Sequence, residues 1–463
     1  MRAPTGRFAA PVLALSLVFV EFLAGMQSYL SQTVLPLVAA ELDGAHLYGP
    51  LNAAAQAPMF LTMPLGAWLL SRFQVGRLMV VFTAVTVTGA VICAVAPSMG
   101  WFIAGTAVRA FASGALATVS MGAISRGLPP RYRQLVLAGM SGVWLFSSVL
   151  GPVYAVAAMA AFGWRWAMVL YLPVLLLARM LVARYTPERT EEVPAEKAPW
   201  GWSLVLAGGA AVLVLPVGAW SAVALAAGVS LMLLAARAVL PAGTFGRSRG
   251  RRAALAALAA TAAVYFGASM VLSVVAHDAF GLGPERFGFI IAAPGLLWAA
   301  AALWTGTHPA LDDAAFRRRA LPAGASITTG VAVLLGTTLL ADDASTAFIG
   351  LLLGACLLGL GMGSVYPDLL GRCLRQPDQP DGISDDRMAA AVVIAESVGM
   401  AVATTSAYAW LGTGLGLLDG PVPRAQVLYL VLLPLAVVML QRLAAASRGA
   451  HAADGASRAT RPG

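Results

Sequence analysis

Residues 11–35 read PVLALSLVFVEFLAGMQSYLSQTVL, and Glu21 is the only charged side chain in this run. A helix needs about 20 mainly apolar residues to cross a bilayer. Because many similar runs follow, we interpret residues 11–35 as a first membrane-spanning helix and not as a cleaved signal peptide. The pattern predicts an all-α integral membrane protein.

The composition excludes a water-soluble chain. Hydrophobic residues make up 59% of the 463 positions and charged residues 11%, whereas a soluble chain carries about 25% charged residues. The net charge of +9 does not indicate nucleic acid, because most basic residues lie in short loops between apolar runs. No cofactor or metal site is predicted: the cysteines form no CxxC pair, and the only lysine, Lys197, belongs to no phosphate-binding loop.

Fourteen apolar runs are long enough, or nearly so, to be spanning helices. The stretch 201–238 is predicted to form two short spans joined near Gly218; the alternative is one tilted helix and one interfacial helix. The fourteen runs are 11–35, 50–70, 78–97, 101–124, 135–160, 165–183, 201–218, 220–238, 253–276, 287–306, 320–340, 346–370, 388–413 and 424–443.

The basic residues predict the topology. With the N-terminus inside, 26 of the 30 fall in inner loops, tails and the helix ends that border them, and only Arg109 is embedded. The outer loops hold Arg165, Arg286 and Arg424. Because positive charge marks the cytoplasmic side, both termini are predicted to lie in the cytoplasm and the chain in the cytoplasmic (inner) membrane. The asymmetry of the basic residues does not distinguish fourteen spans from twelve, because removing a pair of spans leaves every other loop on the same side.

The order of the runs predicts two six-span halves with two extra spans between them. A short basic loop that follows a glycine recurs in both halves, from Gly66 to Arg77 and from Gly306 to Arg319. Duplicated units of this kind are common in transporters. The predicted domains are a six-helix bundle at 1–184, inner linkers with two extra helices at 185–252, a second six-helix bundle at 253–443 and a disordered cytoplasmic tail at 444–463.

Short motifs occur in order on the first six predicted spans. Their residues are Phe22 to Gln27 on the first span, Gly66, Arg72, Gly76 and Arg77 after the second, Arg109 with Ser113-Gly114 on the fourth, Gly151-Pro152 on the fifth, and Gly163-Trp-Arg-Trp166 with Tyr171-Leu-Pro173 at the sixth. In this order they resemble the motifs of the major facilitator superfamily, specifically its fourteen-span drug:proton antiporter branch, over about residues 8–443. Gln27 and Ser71 replace two acids of the family pattern.

The resemblance implies a major facilitator fold, with two six-helix bundles plus two extra transmembrane helices. It also implies a monomeric, proton-coupled exporter that moves small hydrophobic or amphiphilic molecules across the lipid bilayer by alternating access. The residues implied to form gating motifs are Gly66, Arg72, Gly76, Arg77, Gly151 and Pro152. An exporter or flippase of lipid or glycolipid with the same fold is the alternative function.

Polar residues inside the apolar runs are candidates for the site, because an embedded charge costs a few kcal/mol. Glu21 lies roughly 15 Å into the first span and begins a polar stripe at helical spacing. Such a stripe faces a cavity or packs on another helix, and both alternatives apply to its small residues. The predicted substrate-cavity residues are Gly25, Gln27, Ser28, Gln32, Asn52, Gln56, Met59, Arg109, Trp144 and Tyr265.

Three carboxylates, Glu21, Glu396 and Asp368, are candidates to carry a coupled proton, with Glu21 the main one. A desolvated carboxylate favours its neutral form, whereas a nearby cation favours the charged form. Arg109 is the predicted partner of Glu21. The alternative is that Arg109 and Glu21 form a fixed ion pair that only stabilises the bundle.

Two further patterns concern helix packing. Gly350, Gly354, Gly359 and Gly363 form two GxxxG pairs, which permit close approach of neighbouring helices. Gly151-Pro152 predicts a locally weakened span, because proline removes a backbone hydrogen bond. That position is either a hinge for alternating access or a static kink.

A membrane-embedded acyltransferase is the alternative from another class of protein. His308 and Asp313 form His-x4-Asp, an arrangement that some acyltransferases use. The pair falls within the second copy of the basic loop, so a chance match is the favoured interpretation and the protein is predicted not to be an enzyme.

Overall fold

The computed structural model describes residues 9–43, 47–187, 197–213, 221–282, 284–375, 382–413 and 418–448. Within these ranges every regular element is a helix. The α-helices are α1 (Ala9–Glu41), α2 (Tyr48–Thr62), α3 (Gly66–Arg72), α4 (Val75–Ala94), α5 (Met99–Gly127), α6 (Pro130–Phe162), α7 (Trp164–Ala167), α8 (Leu172–Tyr185), α9 (Trp200–Leu213), α10 (Ser221–Val239), α11 (Gly250–Ser269), α12 (Leu272–Val274), α13 (Pro284–Thr307), α14 (Asp313–Leu340), α15 (Ala344–Leu374), α16 (Asp385–Thr413) and α17 (Pro421–Ala446).

Twelve helical segments of the described chain are long and apolar enough to cross a bilayer. The chain is therefore a multi-pass membrane protein, as predicted. The twelve segments are Ala9–Gln27, Ala53–Arg72, Val75–Ala94, Met99–Gly127, Trp164–Tyr185, Ala222–Val239, Gly250–Ser269, Phe289–Thr307, Asp313–Leu340, Ala344–Leu374, Asp385–Tyr408 and Pro421–Ala446.

Two of the fourteen predicted spans are not among these twelve. The run 135–160 falls in α6, where the described apolar stretch is only Val153–Phe162. The run 201–218 corresponds to α9, which has 14 residues. At about 1.5 Å per residue, the 14 described residues of α9 span less than the roughly 30 Å hydrocarbon core. The predicted turn at Gly218 lies outside the described residues.

The chain packs as two compact units. Unit 1 comprises Met1–Val239 and Gln379–Ile394, and unit 2 comprises Leu240–Asp378 and Ala395–Gly463. In unit 1, α1 packs on α6 and α8, α5 packs on α2 and α4, and α9 lies against α2 and α10. In unit 2, α15 packs on α13 and α14, and α17 packs on α11 and α14. Because α17 continues to Ala446, the predicted disordered tail does not begin at residue 444.

Glycines bring the helices of unit 2 into close contact. A Cβ atom on Gly359 would lie 2.2 Å from the carbonyl oxygen of Pro294, and one on Gly363 would lie 2.3 Å from that of Trp298. Both contacts join α15 to α13. The pair Gly359 and Gly363 is thus a packing surface, because only a hydrogen atom fits between these backbones.

Two aspartates begin the long helices of unit 2. Asp312 accepts a hydrogen bond from the Ala315 backbone N–H at 2.6 Å, at the start of α14. Asp343 accepts from the backbone N–H groups of Ser345 and Thr346 at 2.8 and 3.0 Å, at the start of α15. These carboxylates satisfy donors that a helix N-terminus leaves unpaired.

Candidate functional site

Two arginines are buried inside unit 1. Arg109 on α5 and Arg179 on α8 are each 8% exposed. The Arg179 guanidinium donates to the hydroxyl oxygens of Thr83 and Thr86 on α4, at 3.5 and 3.3 Å. An embedded guanidinium needs such partners because its desolvation is costly. Sequence analysis missed Arg179, because it lies close enough to the end of α8 to be assigned to the border of a loop.

Arg109 lies at a close contact between α4 and α5. A Cβ atom on Gly89 of α4 would lie 2.7 Å from Cγ of Arg109. The Arg109 guanidinium interacts with the Cys93 thiol and acts electrostatically on the Tyr171 hydroxyl. Tyr171 donates a hydrogen bond to the side-chain oxygen of Gln27 at 2.8 Å. Two predicted cavity residues, Gln27 and Arg109, are therefore linked through Tyr171.

Glu21 lies on α1, on the N-terminal side of Gln27. Its carboxylate acts electrostatically on the Arg179 guanidinium. The sequence predicted Arg109 as the partner of Glu21, and that pair stays a prediction. We refer to the connected side chains as the interior polar cluster; they are Glu21, Gln27, Thr83, Thr86, Cys93, Arg109, Tyr171 and Arg179.

The other predicted cavity residues of unit 1 lie on α1 and α2. Gly25 is buried, and Gln56 and Met59 are half-buried. Met59 also marks the contact of α2 with α5, since a Cβ atom on Gly114 would lie 2.2 Å from the Met59 carbonyl oxygen. The side chains that lie outside the described residues are those of Ser28, Gln32, Asn52, Trp144 and Pro152.

Unit 2 holds an aromatic cluster beside a carboxylate. The Tyr366 hydroxyl on α15 donates to Glu396 on α16 at 2.7 Å. Trp298 on α13 lies edge-on to Tyr366 with ring centres 5.5 Å apart, and Tyr265 on α11 lies 5.0 Å from Trp298. Phe266 packs on both Tyr265 and Trp298. These five residues form the aromatic–carboxylate cluster, which suits an amphiphilic cation because aromatic faces and a carboxylate both attract positive charge.

Asp368 has two partners near the end of α15. Its buried carboxylate accepts a hydrogen bond from Arg319 on α14 at 2.7 Å and another from the Ala310 backbone N–H at 3.1 Å. Arg319 also lies over the ring of Trp304, 5.1 Å from its centre. These contacts fix Asp368 against the segment between α13 and α14. The arrangement favours a structural contact over proton transport for this residue.

The predicted gating loop of unit 1 joins α3 to α4. A Cβ atom on Gly66 would lie 2.0 Å from the Thr118 hydroxyl, and one on Gly76 would lie 2.9 Å from the Ala183 carbonyl oxygen. Both glycines are therefore required for close helix contact. Gly151, the third glycine implied in gating, is buried on α6.

The arginines of this loop are exposed. Arg72 lies over the ring of Trp68, 5.7 Å from its centre, and Arg77 faces solvent. Ser71, which replaces the acid of the family pattern, donates to the Trp68 carbonyl oxygen of its own helix at 2.8 Å. A serine that bonds its own helix cannot supply the charged contact that an acid would make.

An acidic contact that sequence analysis missed joins the end of α1 to α7. Glu41 accepts hydrogen bonds from the Trp164 indole and the Arg165 guanidinium, and Arg165 also donates to the Ala96 carbonyl oxygen at 3.2 Å. Trp164 is 7% exposed, so it is a packed residue, whereas Trp166 is 58% exposed and suits an interfacial anchor. The Trp-Arg-Trp motif was visible in the sequence, but its partner lies 123 residues away.

Replacing Glu41 with glutamine is expected to lower the melting temperature at neutral pH by about 1–3 °C. The Arg165 and Trp164 hydrogen bonds hold the pKa of Glu41 below its usual value. A carboxylate with a lowered pKa stabilises the folded state above its unfolded pKa of 4.5, and this contribution is lost as the pH falls through the folded-state value. The effect is small because Glu41 is half-exposed.

The measurement is the melting temperature of the purified protein between pH 7 and pH 4. Asp419→Asn removes an exposed carboxylate elsewhere and serves as the control for the loss of charge. The difference between the variant and the wild type should begin to narrow as the pH falls below 4.5. Equal melting temperatures at pH 7 would contradict the role of this contact.

The two residues of the acyltransferase pattern have other partners. The His308 ring stacks on Trp304 with centres 5.3 Å apart, and Asp313 forms an ion pair with Arg372. Among the described residues, no group of three or more His, Cys, Asp or Glu is arranged to hold a metal ion. The contacts therefore give His308 and Asp313 structural roles.

The family model of the Major Facilitator Superfamily matches residues 17–404. The chain belongs to this superfamily of membrane transporters. The match confirms the resemblance identified from the ordered motifs, and it favours a transporter over an enzyme.

Curated relatives that match this chain are efflux proteins. The chain is 24% identical over 213 residues to "Efflux pump dotC" of Dothistroma septosporum, covering 44% of this chain and 36% of that protein. It is 30% identical over 152 residues to "Multidrug resistance protein B homolog" of Mycobacterium tuberculosis, covering 33% and 28%. The matches thus span only about a third of the length of these relatives, 36% and 28%.

A solved structure supports the fold over the whole chain. The human organic anion transporter MFSD10 (TETRAN) is similar with a TM-score of 0.62 and 17% identity, covering 95% of this chain and 100% of that chain. At this identity the likeness shows the fold alone. The all-helical major facilitator fold predicted from the sequence is thereby confirmed.

Proposed function

We propose that this protein is a proton-coupled exporter (antiporter) of small hydrophobic or amphiphilic molecules. The observation that carries the proposal is the aromatic–carboxylate cluster, in which Tyr366 donates to Glu396 beside the ring of Trp298. Membership of a transporter superfamily supports transport, and the names of the efflux relatives support export.

The aromatic–carboxylate cluster is the proposed contact for substrate. Its packed rings supply apolar surface, and Glu396 supplies a negative charge or, when protonated, a neutral donor. Among the described residues, no acceptor lies in range of the buried Trp298 indole nitrogen. A substrate with a hydrogen-bond acceptor would satisfy that donor. The preferred substrates are therefore aromatic or aliphatic amphiphiles that carry a positive charge.

The interior polar cluster of unit 1 is the proposed proton site, with Glu21 as the main carrier. Arg179 stabilises the charged form of Glu21, whereas loss of water around the carboxyl group favours its neutral form. Arg179 is held in place by Thr83 and Thr86. A small movement of α8 relative to α1 would change the proton affinity of Glu21, which is the coupling that an antiporter requires.

The number of spans, the topology, the oligomeric state and the gating loop are proposed from the resemblance to the family. We propose fourteen spans in which α6, with 33 residues, and α9 also cross or enter the bilayer. We also propose cytoplasmic termini, a monomer in the cytoplasmic membrane and a gating role for the Arg72–Arg77 loop. The loop is proposed to act weakly, because Ser71 supplies no charge.

The test is transport in proteoliposomes with an imposed pH gradient and a pH-sensitive dye inside. Lipophilic cations, neutral amphiphiles and organic anions are offered in turn. We expect proton flux that depends on the lipophilic cations. Trp298→Ala should reduce this flux about tenfold, since stacking contacts of this kind are worth about 1–2 kcal/mol.

The matched control is Trp304→Ala, which removes an exposed tryptophan from the same helix. It should transport like the wild type. Proton flux that is equal with and without every compound of the panel would overturn the proposal of an antiporter.

A further inference from the structure

Unit 1 contains a cavity of about 390 Å³ that lies apart from the interior polar cluster. Its walls come from the turn and helix that follow α2, from the segment before α9, from the end of α10 and from the start of α16. The volume falls in the range of small-molecule sites, about 300–1,000 Å³. The residues that matter for its chemistry are Trp68, Lys197, Pro199, Ala238, Arg387 and Ala390.

The charges that line this cavity are both positive. Lys197 and Arg387 line it, and no acidic side chain of the described chain is among its lining residues. The two acids that directly precede Arg387 contact other arginines: Asp386 forms an ion pair with Arg126, and Asp385 acts electrostatically on Arg133. The cavity is therefore suited to an anion.

The rest of the lining is apolar and lies beside exposed tryptophans. Proline, alanine, valine and isoleucine side chains form most of the wall. Trp200, which directly follows the lining segment, is 53% exposed, and Trp202 is 45% exposed. The rings of Trp200 and Trp68 are in edge contact, with centres 6.1 Å apart. Exposed tryptophans mark the level of the lipid headgroups in membrane proteins.

We propose that this cavity binds the phosphate headgroup of an anionic phospholipid, with Lys197 and Arg387 as the phosphate contacts. Basic pockets between helices at the membrane surface bind anionic headgroups. The apolar wall suits the glycerol backbone and the first methylenes of the acyl chains. A soluble phosphate would leave this apolar wall uncovered. The proposal does not depend on the transported substrate or on proton coupling.

The test compares lipid retention by the full-length protein in detergent, measured by native mass spectrometry. The added lipids are phosphatidylglycerol and, as the zwitterionic control, phosphatidylcholine. We expect preferential retention of phosphatidylglycerol by the wild type. The double variant Lys197→Gln, Arg387→Gln should weaken it on the order of tenfold, because each basic residue contributes to headgroup affinity.

The matched control is the double variant Arg317→Gln, Arg318→Gln, which loses the same charge from exposed positions in the first turns of α14 in unit 2. It should retain phosphatidylglycerol like the wild type. Ala238→Trp is a second test, since it obstructs the cavity from an exposed position without changing charge. It should also reduce retention, while melting temperatures report whether each variant is folded.

Three outcomes would overturn the proposal. The first is equal phosphatidylglycerol retention by the wild type and a folded Lys197→Gln, Arg387→Gln variant. The second is an equal loss in the Arg317→Gln, Arg318→Gln control, which would mean general surface charge. The third is displacement of the lipid by millimolar glycerol 3-phosphate, which would assign the site to a soluble phosphate.

Discussion

Glu21→Gln is expected to abolish uphill, pH-driven export while the protein stays folded and still binds substrate. Glutamine has the shape of the protonated carboxyl group but cannot release a proton. Glu21 acts on the buried Arg179 guanidinium, and that interaction exists only in the charged form. A permanently neutral side chain therefore removes the difference between the two protonation states on which coupling depends.

The measurement is export from proteoliposomes under a fixed pH gradient, with substrate binding and expression measured beside it. A loss of gradient-driven export of at least about tenfold corresponds to about 1.4 kcal/mol or more of lost coupling. Downhill exchange of substrate in the absence of a gradient should persist. This separates loss of coupling from loss of the transporter itself.

Two other carboxylates provide the comparison. Glu396→Gln should have a smaller or substrate-dependent effect, because Glu396 belongs to the proposed substrate site. Asp368→Asn should lower stability but leave the proton coupling intact, since Asp368 is fixed by Arg319 and the Ala310 N–H. Normal gradient-driven export by Glu21→Gln would rule out the assignment and move the proton site to Glu396 or Asp368.

The class of the protein followed from the sequence because its signals are long and repeated. Apolar runs of about 20 residues and ordered motifs at fixed spans survive the substitution of single residues. The number of spans did not follow in the same way, because the described part of α9 has 14 residues and the described apolar part of α6 is short. Hydropathy reports the composition of a run and not where its helix begins or ends.

The partners inside the site could not be predicted in the same way. Sequence analysis singled out Glu21 and Arg109, but Arg179 was assigned to a loop border. Its partners are hydroxyl groups on α4, and threonine in an apolar helix is too common to signal an arginine. Likewise, Glu396 is connected to Tyr265 through Tyr366 and Trp298, and this connection depends on the packing of four helices.

Glycine packing in unit 2 gives a second large expected effect, in which Gly359→Val should prevent accumulation of folded protein. Even the first added carbon would lie 2.2 Å from the Pro294 carbonyl oxygen and 2.6 Å from its Cα. These are backbone atoms of α13, so no side chain can rotate away. Overpacking of this kind costs about 1–3 kcal/mol in cores that can adjust, and more where they cannot.

Gly359→Ala provides the graded version of this experiment. The alanine variant should fold with a lowered melting temperature, because α15 must move away from α13. That movement would also separate Tyr366 on α15 from Trp298 on α13, whose rings lie 5.5 Å apart. Substrate binding should therefore weaken along with stability.

The matched control is Gly336→Ala on α14, where an added Cβ atom would meet nothing within 4 Å. Replacing glycine within a helix then gains about 0.5–1 kcal/mol, because alanine loses less backbone entropy on folding. The two alanine variants change the chain by the same methyl group, so a difference in melting temperature reports the contact and not the residue type. Similar melting temperatures for Gly359→Ala and Gly336→Ala would show that α13 and α15 are not held together by this close backbone contact.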